Sequence, residues 1–238
     1  MIQAITFDLW NTIFQNKSYS EPRIKFFNDF LKLKGNHINI ATLKNCFERI
    51  FLPYSNEFPK EMDRHIYNDI RLEKVVKCLK INLSSSEREQ ILLTIESEML
   101  SDPPLLKTGV YNTLKELNQQ YKIGLISNTG ITPGRIIKEV LKNYDILKYF
   151  QVTIFSDEIG YYKPHKILYQ TALRHLESEP ENSIHVGDLL HTDIKGAKDY
   201  GMLNIWFNDL NQPADSDILP DFEVKSMSEI INIIKKLQ

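Results

Sequence analysis

Much of what marks specialised proteins is missing from this chain. Only two cysteines, Cys46 and Cys78, occur in 238 residues. They are too few for a disulfide framework and lack the spacing of a zinc site, so both are expected as buried free thiols. No Lys/Arg-rich run stands out, and 29 basic residues nearly cancel 31 acidic ones. Nothing therefore marks a nucleic acid or an anionic membrane as partner. No apolar run approaches the roughly 20 residues of a membrane span. The first apolar stretch has no basic lead and is broken by Asp8 and Asn11, as expected of an unprocessed cytoplasmic protein. Glycine motifs of dinucleotide folds and P-loops are absent, so neither NAD nor ATP-driven chemistry is indicated. There is no internal repeat and no low-complexity tract, and a homodimer is as compatible with the sequence as a monomer.

What is present suffices for a substantial core: 42% of residues are hydrophobic and 11% aromatic. Short apolar runs recur and stop at a polar residue. Residues 2–7 end at Asp8, 122–126 at Ser127, 152–155 at Ser156 and 184–187 at Asp188, with weaker runs at 203–207 and 222–224. Such runs read as parallel strands buried on both faces. Helical patterns lie between them at 110–118, 133–142 with Thr132 as N-cap, 165–177, and 192–200 stopped by Gly201. The alternation predicts an α/β fold, a Rossmann-like parallel sheet covered by helices. In open sheets of that kind ligands bind beyond the carboxyl ends of the strands, where Asp8, Ser127 and Asp188 all fall.

The stretch 17–100 contains no convincing strand. Its apolar stripes Ile24/Phe27/Leu31, Leu43/Phe47/Ile50 and Ile66/Ile70 have helical spacing, and Ser86 with Glu89 reads as a capping box before Ile91-Leu92-Leu93. We therefore expect a smaller all-helical domain inserted after the first strand, with residues 1–16 and 101–238 forming the core. Ser101-Asp102-Pro103-Pro104 is the natural hinge back. Tyr19, Phe26, Tyr54 and Phe58 could line a pocket beneath the insertion, although burial in its own core is the ordinary fate of such residues.

Four strand-end elements carry complementary chemistry for attack on phosphorus. Asp8, in Asp8-Leu9-Trp10-Asn11-Thr12, is a carboxylate nucleophile able to form an acyl phosphate. Its charge repels an anionic substrate, so positive charge must be supplied. Lys163, before Pro164, offers a cation, and the carboxylates of Gly187-Asp188-x4-Asp193 offer a metal site. Oxygen ligands and a phosphate substrate favour Mg2+. Ser127 and Asn128 add a hydroxyl and main-chain N–H groups for phosphate oxygens. Taken singly each residue has a plainer reading: Asp193 as a helix cap, Lys163 as a solvated loop residue, Trp10 as packing.

In this order the elements resemble the haloacid dehalogenase superfamily of hydrolases with a helical C1-type cap, and the resemblance spans nearly the whole chain. It implies a magnesium-dependent phosphatase acting on a small phosphorylated molecule. It further implies Asp8 as nucleophile and metal ligand, Lys163 as its charge partner, and Asp188 as metal ligand. Asp193 would be a direct or outer metal group, and Trp10 a ligand through its main-chain oxygen. Thr12, Ser127, Asn128 and Trp10 would face the substrate phosphate.

One departure matters. Most phosphatases of this family carry a second aspartate two residues beyond the nucleophile as the acid–base group, and here that residue is Trp10. A general acid or base is typically worth about 10²–10⁴ in rate. Substrates with good leaving groups are therefore favoured unless His191, His65 or His37 supplies the proton. Asn11 replaces the usual glycine, a mild change because asparagine tolerates the left-handed backbone. An aromatic residue at position 10 also resembles the L-2-haloacid dehalogenases, the first alternative, which displace halide without metal. A catalytically retired binding module is the second.

Overall fold

The structure is a computed structural model that describes residues 1–51, 63–214 and 217–237. Tyr54 and Phe58 lie outside the described residues. Among the described residues six strands form one parallel sheet: β1 (Ala4–Phe7), β2 (Lys122–Ser127), β3 (Val152–Phe155), β4 (Ser183–Gly187), β5 (Leu203–Phe207) and β6 (Phe222–Val224), in the order β3-β2-β1-β4-β5-β6. Every neighbouring pair is parallel. Each predicted strand is present, because runs this apolar can be accommodated only where both faces of a sheet are covered.

Helices cover both faces. α5 (Val110–Leu117), α6 (Gly134–Asn143) and α10 (Met227–Lys236) share one apolar cluster with Ile5, Phe7 and Leu125. α8 (Lys166–Leu176) and α9 (Lys195–Asp199) pack with Ala4, Ile126 and Ile154 on the other face, and the short α7 (Ser156–Ile159) follows β3. β1 lies at the centre, flanked by β2 on one side and β4 on the other. The chain therefore switches direction across the sheet at β1, and the carboxyl end of β1 opens into the crevice that this topology creates.

Among the described residues between β1 and α5 run four helices, α1 (Ser20–Leu33), α2 (Ile40–Phe51), α3 (Asn68–Leu79) and α4 (Ser85–Ser101). They enclose a separate core that includes Ile24, Phe27 and Leu31, Leu43, Phe47 and Ile50, and Ile91 and Ile95. The two chain crossings lie side by side: the N–H of Gln15 donates to the carbonyl of Leu105 at 2.8 Å, and that of Lys107 to Ile13 at 2.9 Å. Tyr19 is buried at this crossing and donates its hydroxyl to the carbonyl of Asp102 at 2.9 Å.

Local details differ from expectation for physical reasons. Cys46 and Cys78 are not free thiols but a disulfide joining α2 to α3, with Cα atoms 6.0 Å apart. Sequence spacing says nothing about the packing of α2 on α3 that brings them together. Ile70 is 47% exposed. α3 begins only at Asn68, after Ile66, and buries Leu72, Val75, Val76 and Leu79 instead. The capping box is Ser84 with Glu87, two residues early, since the serine run offers the same Ser-x-x-Glu spacing twice. Thr132 does not cap α6: its hydroxyl accepts from Arg23 at 2.6 Å. The carboxylate of Asp157 takes that place, accepting from the N–H of Gly134 at 3.1 Å. The predicted helix at 192–200 opens as a wide π turn over Leu190–Ile194 before α9.

Candidate active site

At the carboxyl ends of β1 and β4 the fold gathers Asp8, Asp188 and Asp193. All three are buried, with one ligand atom of each lying within 4.8 Å of the others. Lys163 reaches the same point from the loop after α7. Its Nζ donates to Asp8 Oδ1 at 2.5 Å, to Asp193 Oδ1 at 2.6 Å and to the carbonyl of Ile126 at 2.9 Å. Three protons meet three acceptors, so the ammonium has one orientation available to it.

Asn128 explains how that loop is held. Its side-chain oxygen accepts from the N–H of Lys163 at 2.7 Å, and its amide donates to the carbonyl of Lys163 at 3.2 Å. The Asn128 side chain is thus engaged in holding the lysine backbone. The neighbouring Ser127 is fully buried, with its hydroxyl donating to the carbonyl of Asn128 at 3.3 Å. Thr12 is fully buried, and its hydroxyl has no hydrogen-bond partner among the described residues. Trp10 is half-buried, its ring 6.3 Å from that of Phe14. Asn11, between them, adopts φ 55°, the left-handed backbone that asparagine tolerates.

Asp188 is fixed through its main chain, whose carbonyl accepts from the indole N–H of the buried Trp206 at 2.9 Å. Asp193 Oδ2 accepts from the N–H of Leu189 at 3.0 Å. Both oxygens of Asp193 therefore have partners inside the protein. Gly187 permits this close approach, because a Cβ there would lie 2.4 Å from Asp193 Cγ. Gly187→Ala is expected to push Asp193 off Lys163, lowering stability by about 1–3 kcal/mol as other overpacked cores do. Urea unfolding of the variant checks this, and an unchanged midpoint would mean that Asp193 shifts freely.

The charges do not balance by themselves. Burial raises the pKa of Asp8 to about 6 even against the neighbouring Lys163. Burial also raises Asp188 to about 8, with repulsion from Asp8 and Asp193 adding to it. Burial acts on Asp193 in the same sense, but Lys163 and the hydrogen bond from His185 outweigh it and hold this carboxyl well below the usual range. Asp193 and Asp8 in turn lift Lys163 above the ordinary lysine value although burial opposes its charge. Asp8 thus favours its ionised form at neutral pH, whereas burial and the two neighbouring carboxylates disfavour charge on Asp188. A small divalent cation with oxygen ligands fits this donor set.

Of the three histidines considered as acid–base groups, His37 and His191 are exposed, His191 in the same turn as Asp193, and His65 pairs with Ser156 Oγ at 3.1 Å, with burial pushing its pKa down to about 4. Phe26 is only half-buried, packing on the edge of the helical core. The sequence reading missed His185, Thr6 and Trp206. Polar residues inside an otherwise apolar strand were the available signal for the first two.

Comparison with known proteins follows the same lines. The family profile described as haloacid dehalogenase-like hydrolase matches residues 39–207. A glyceraldehyde 3-phosphate phosphatase of Pyrococcus furiosus is 25% identical over 242 residues, covering 99% of this chain and 94% of that protein. A protein of the same name from Methanopyrus kandleri is 32% identical over 136 residues, 54% of this chain and 56% of that one. Among solved structures, a 2-haloacid dehalogenase from Pseudomonas syringae superposes with a TM-score of 0.77 at 22% identity over the whole of both chains. A phosphatase from Thermococcus onnurineus gives 0.67 at 23% over 98% of both. At these identities the structural likeness is one of fold.

Proposed function

The chain belongs to the haloacid dehalogenase-like hydrolases, and from that membership we propose that it is a magnesium-dependent phosphatase of small phosphorylated molecules, using Asp8 as covalent nucleophile. The observation that carries this reading is the buried cluster of three carboxylates, two of them bound by one ammonium. Halide displacement without metal would leave that surplus negative charge beside an anionic substrate. The full-length relative named as a phosphatase of a three-carbon sugar phosphate supports a small phosphorylated substrate.

In this reading Lys163 orients the Asp8 carboxylate, whose oxygen attacks phosphorus. The new O–P bond forms as the bond to the leaving group breaks, and the leaving oxygen departs with the electron pair. Water then attacks the acyl phosphate, releasing inorganic phosphate and restoring Asp8. Asp8, Asp188 and the main-chain oxygen of Trp10 would hold magnesium. Asp193 takes the outer place, since its two oxygens already serve Lys163 and Leu189. Magnesium, when bound, supplies the positive charge that lets a carboxylate meet a phosphoryl group. Thr12, Ser127 and the N–H of Asn128 bind the phosphoryl oxygens. Helices α1–α4, which overlap the expected 17–100 and run one residue past it to Ser101, form the cap that shelters the site. With Trp10 in place of an acid, esters with good leaving groups react fastest.

The test is release of p-nitrophenol from p-nitrophenyl phosphate with magnesium and with chelator, alongside halide release from L-2-chloropropionate. Metal-dependent phosphate hydrolysis is expected. Metal-independent halide release would instead make the chain a dehalogenase, the reading that the aromatic Trp10 favours. Burial and the neighbouring carboxylates raise the pKa of Asp188 to about 8, so a cation binding there competes with a proton. The magnesium concentration for half-activation should therefore rise as pH falls from 8 to 6, and a flat dependence would remove Asp188 from the ligand set.

A further inference from the structure

We propose that His185 and Thr6, deep in the sheet, are positioning residues of the Asp8 centre: they hold Asp193 in the orientation that keeps Lys163 against the nucleophile. This rests on the phosphatase reading above. Strands buried on both faces are ordinarily filled with Val, Ile and Leu, yet β1 and β4 place Thr6 and His185 opposite each other, both fully buried. Buried polar groups of this kind are costly unless hydrogen-bonded, and these two bond to each other and onward. Thr6 Oγ1 lies 2.8 Å from His185 Nδ1, and His185 Nε2 lies 3.4 Å from Asp193 Oδ1. The same Asp193 oxygen is 2.6 Å from Lys163 Nζ, which is 2.5 Å from Asp8 Oδ1. One chain of contacts thus runs from the sheet interior to the nucleophile.

The chemistry of the chain fixes its proton positions. An ionised Asp193 can only accept, so the imidazole must carry its proton on Nε2. Nδ1 then offers a lone pair, and the Thr6 hydroxyl donates to it. Thr6 therefore selects the tautomer that lets His185 donate to Asp193. Tyr169 steadies the arrangement from the side, standing edge-on to the imidazole with ring centroids 5.3 Å apart at 85°. Its hydroxyl donates to the carbonyl of Thr192 at 2.8 Å, just before Asp193.

Thr6→Val keeps the shape of the side chain and removes only the donor. If these residues merely filled the core, the apolar variant would turn over like wild type. Positioning instead predicts that kcat falls by about 10–100-fold, as on loss of other outer-shell partners, with KM for p-nitrophenyl phosphate within about twofold. Thr6→Ser should restore most of the loss, and His185→Gln, which keeps an N–H donor, should exceed His185→Leu. Long-range 1H–15N correlation of the imidazole gives a readout independent of activity, expected to show Nε2–H in wild type and a changed tautomer in Thr6→Val. Wild-type kcat in Thr6→Val, or an Nδ1–H tautomer in the native protein, overturns the proposal. If wild type hydrolyses no phosphate ester at all, the phosphatase reading fails alone, and the tautomer still decides whether Thr6 sets the His185–Asp193 contact.

Discussion

Asp8→Asn is expected to reduce kcat on p-nitrophenyl phosphate by at least roughly 10⁴-fold while the protein stays folded. Losing a covalent nucleophile removes the reaction path itself, and single deletions of such groups cost about as much as removing the whole catalytic unit. Asparagine preserves the shape of the side chain, and burial already works against charge at this position. Circular dichroism and the unfolding midpoint should therefore remain near those of wild type. Wild-type enzyme quenched in acid during turnover should carry a phosphoryl group that the variant lacks. Turnover retained by Asp8→Asn would remove the covalent mechanism, whatever the fate of the metal.

Lys163→Met should damage both activity and stability. Lys163 is 3% exposed, and its ammonium satisfies Asp8, Asp193 and the carbonyl of Ile126 together. Methionine has a comparable volume but leaves two buried carboxylates and a carbonyl without their donor. Breaking a buried ion pair from one side typically costs about 3–5 kcal/mol, and urea unfolding at pH 7 should show a loss of that order. The pH dependence follows from Asp193. In wild type its folded pKa is depressed, so its contribution to stability is fully present above the ordinary carboxylate range and lost only as pH falls through that range towards the lower folded pKa. Without Lys163 burial dominates and the folded pKa rises above the unfolded value, so the variant loses stability as pH climbs towards neutrality. The gap between variant and wild type should accordingly narrow from pH 7 to pH 5. A gap independent of pH would mean that the loss is one of packing rather than of charge.

The sheet was legible because its strands are buried on both faces and cannot be anything but short apolar runs with polar ends. The helical insertion was legible for the complementary reason: three-and-four spacing of Ile24, Phe27 and Leu31 or of Leu43, Phe47 and Ile50 fits no strand. Asp8, Lys163, Asp188 and Asp193 could be named from sequence because each follows or neighbours a strand end, and a parallel sheet gathers such ends on one side. Boundaries were harder. Two Ser-x-x-Glu patterns competed for the start of α4, and only the helix register chose between them. The stripe assigned to Ile66 and Ile70 failed because an extended segment precedes α3, which periodicity over five residues cannot detect.

By itself, then, the sequence determined the layered α/β architecture, the helical character of the stretch between β1 and α5 and the residue types available for attack on phosphorus, since these depend on local pattern and on chain order. Only the tertiary structure decided what depends on distance between residues far apart in the chain. It turned the Asn128 side chain towards the backbone of Lys163, paired Cys46 with Cys78, and left His65 against Ser156. It also closed the contacts from Thr6 through His185 and Asp193 to Lys163. Hydrogen bonds and charge interactions act over a few ångströms, and no spacing along the chain fixes which of its distant segments come that close.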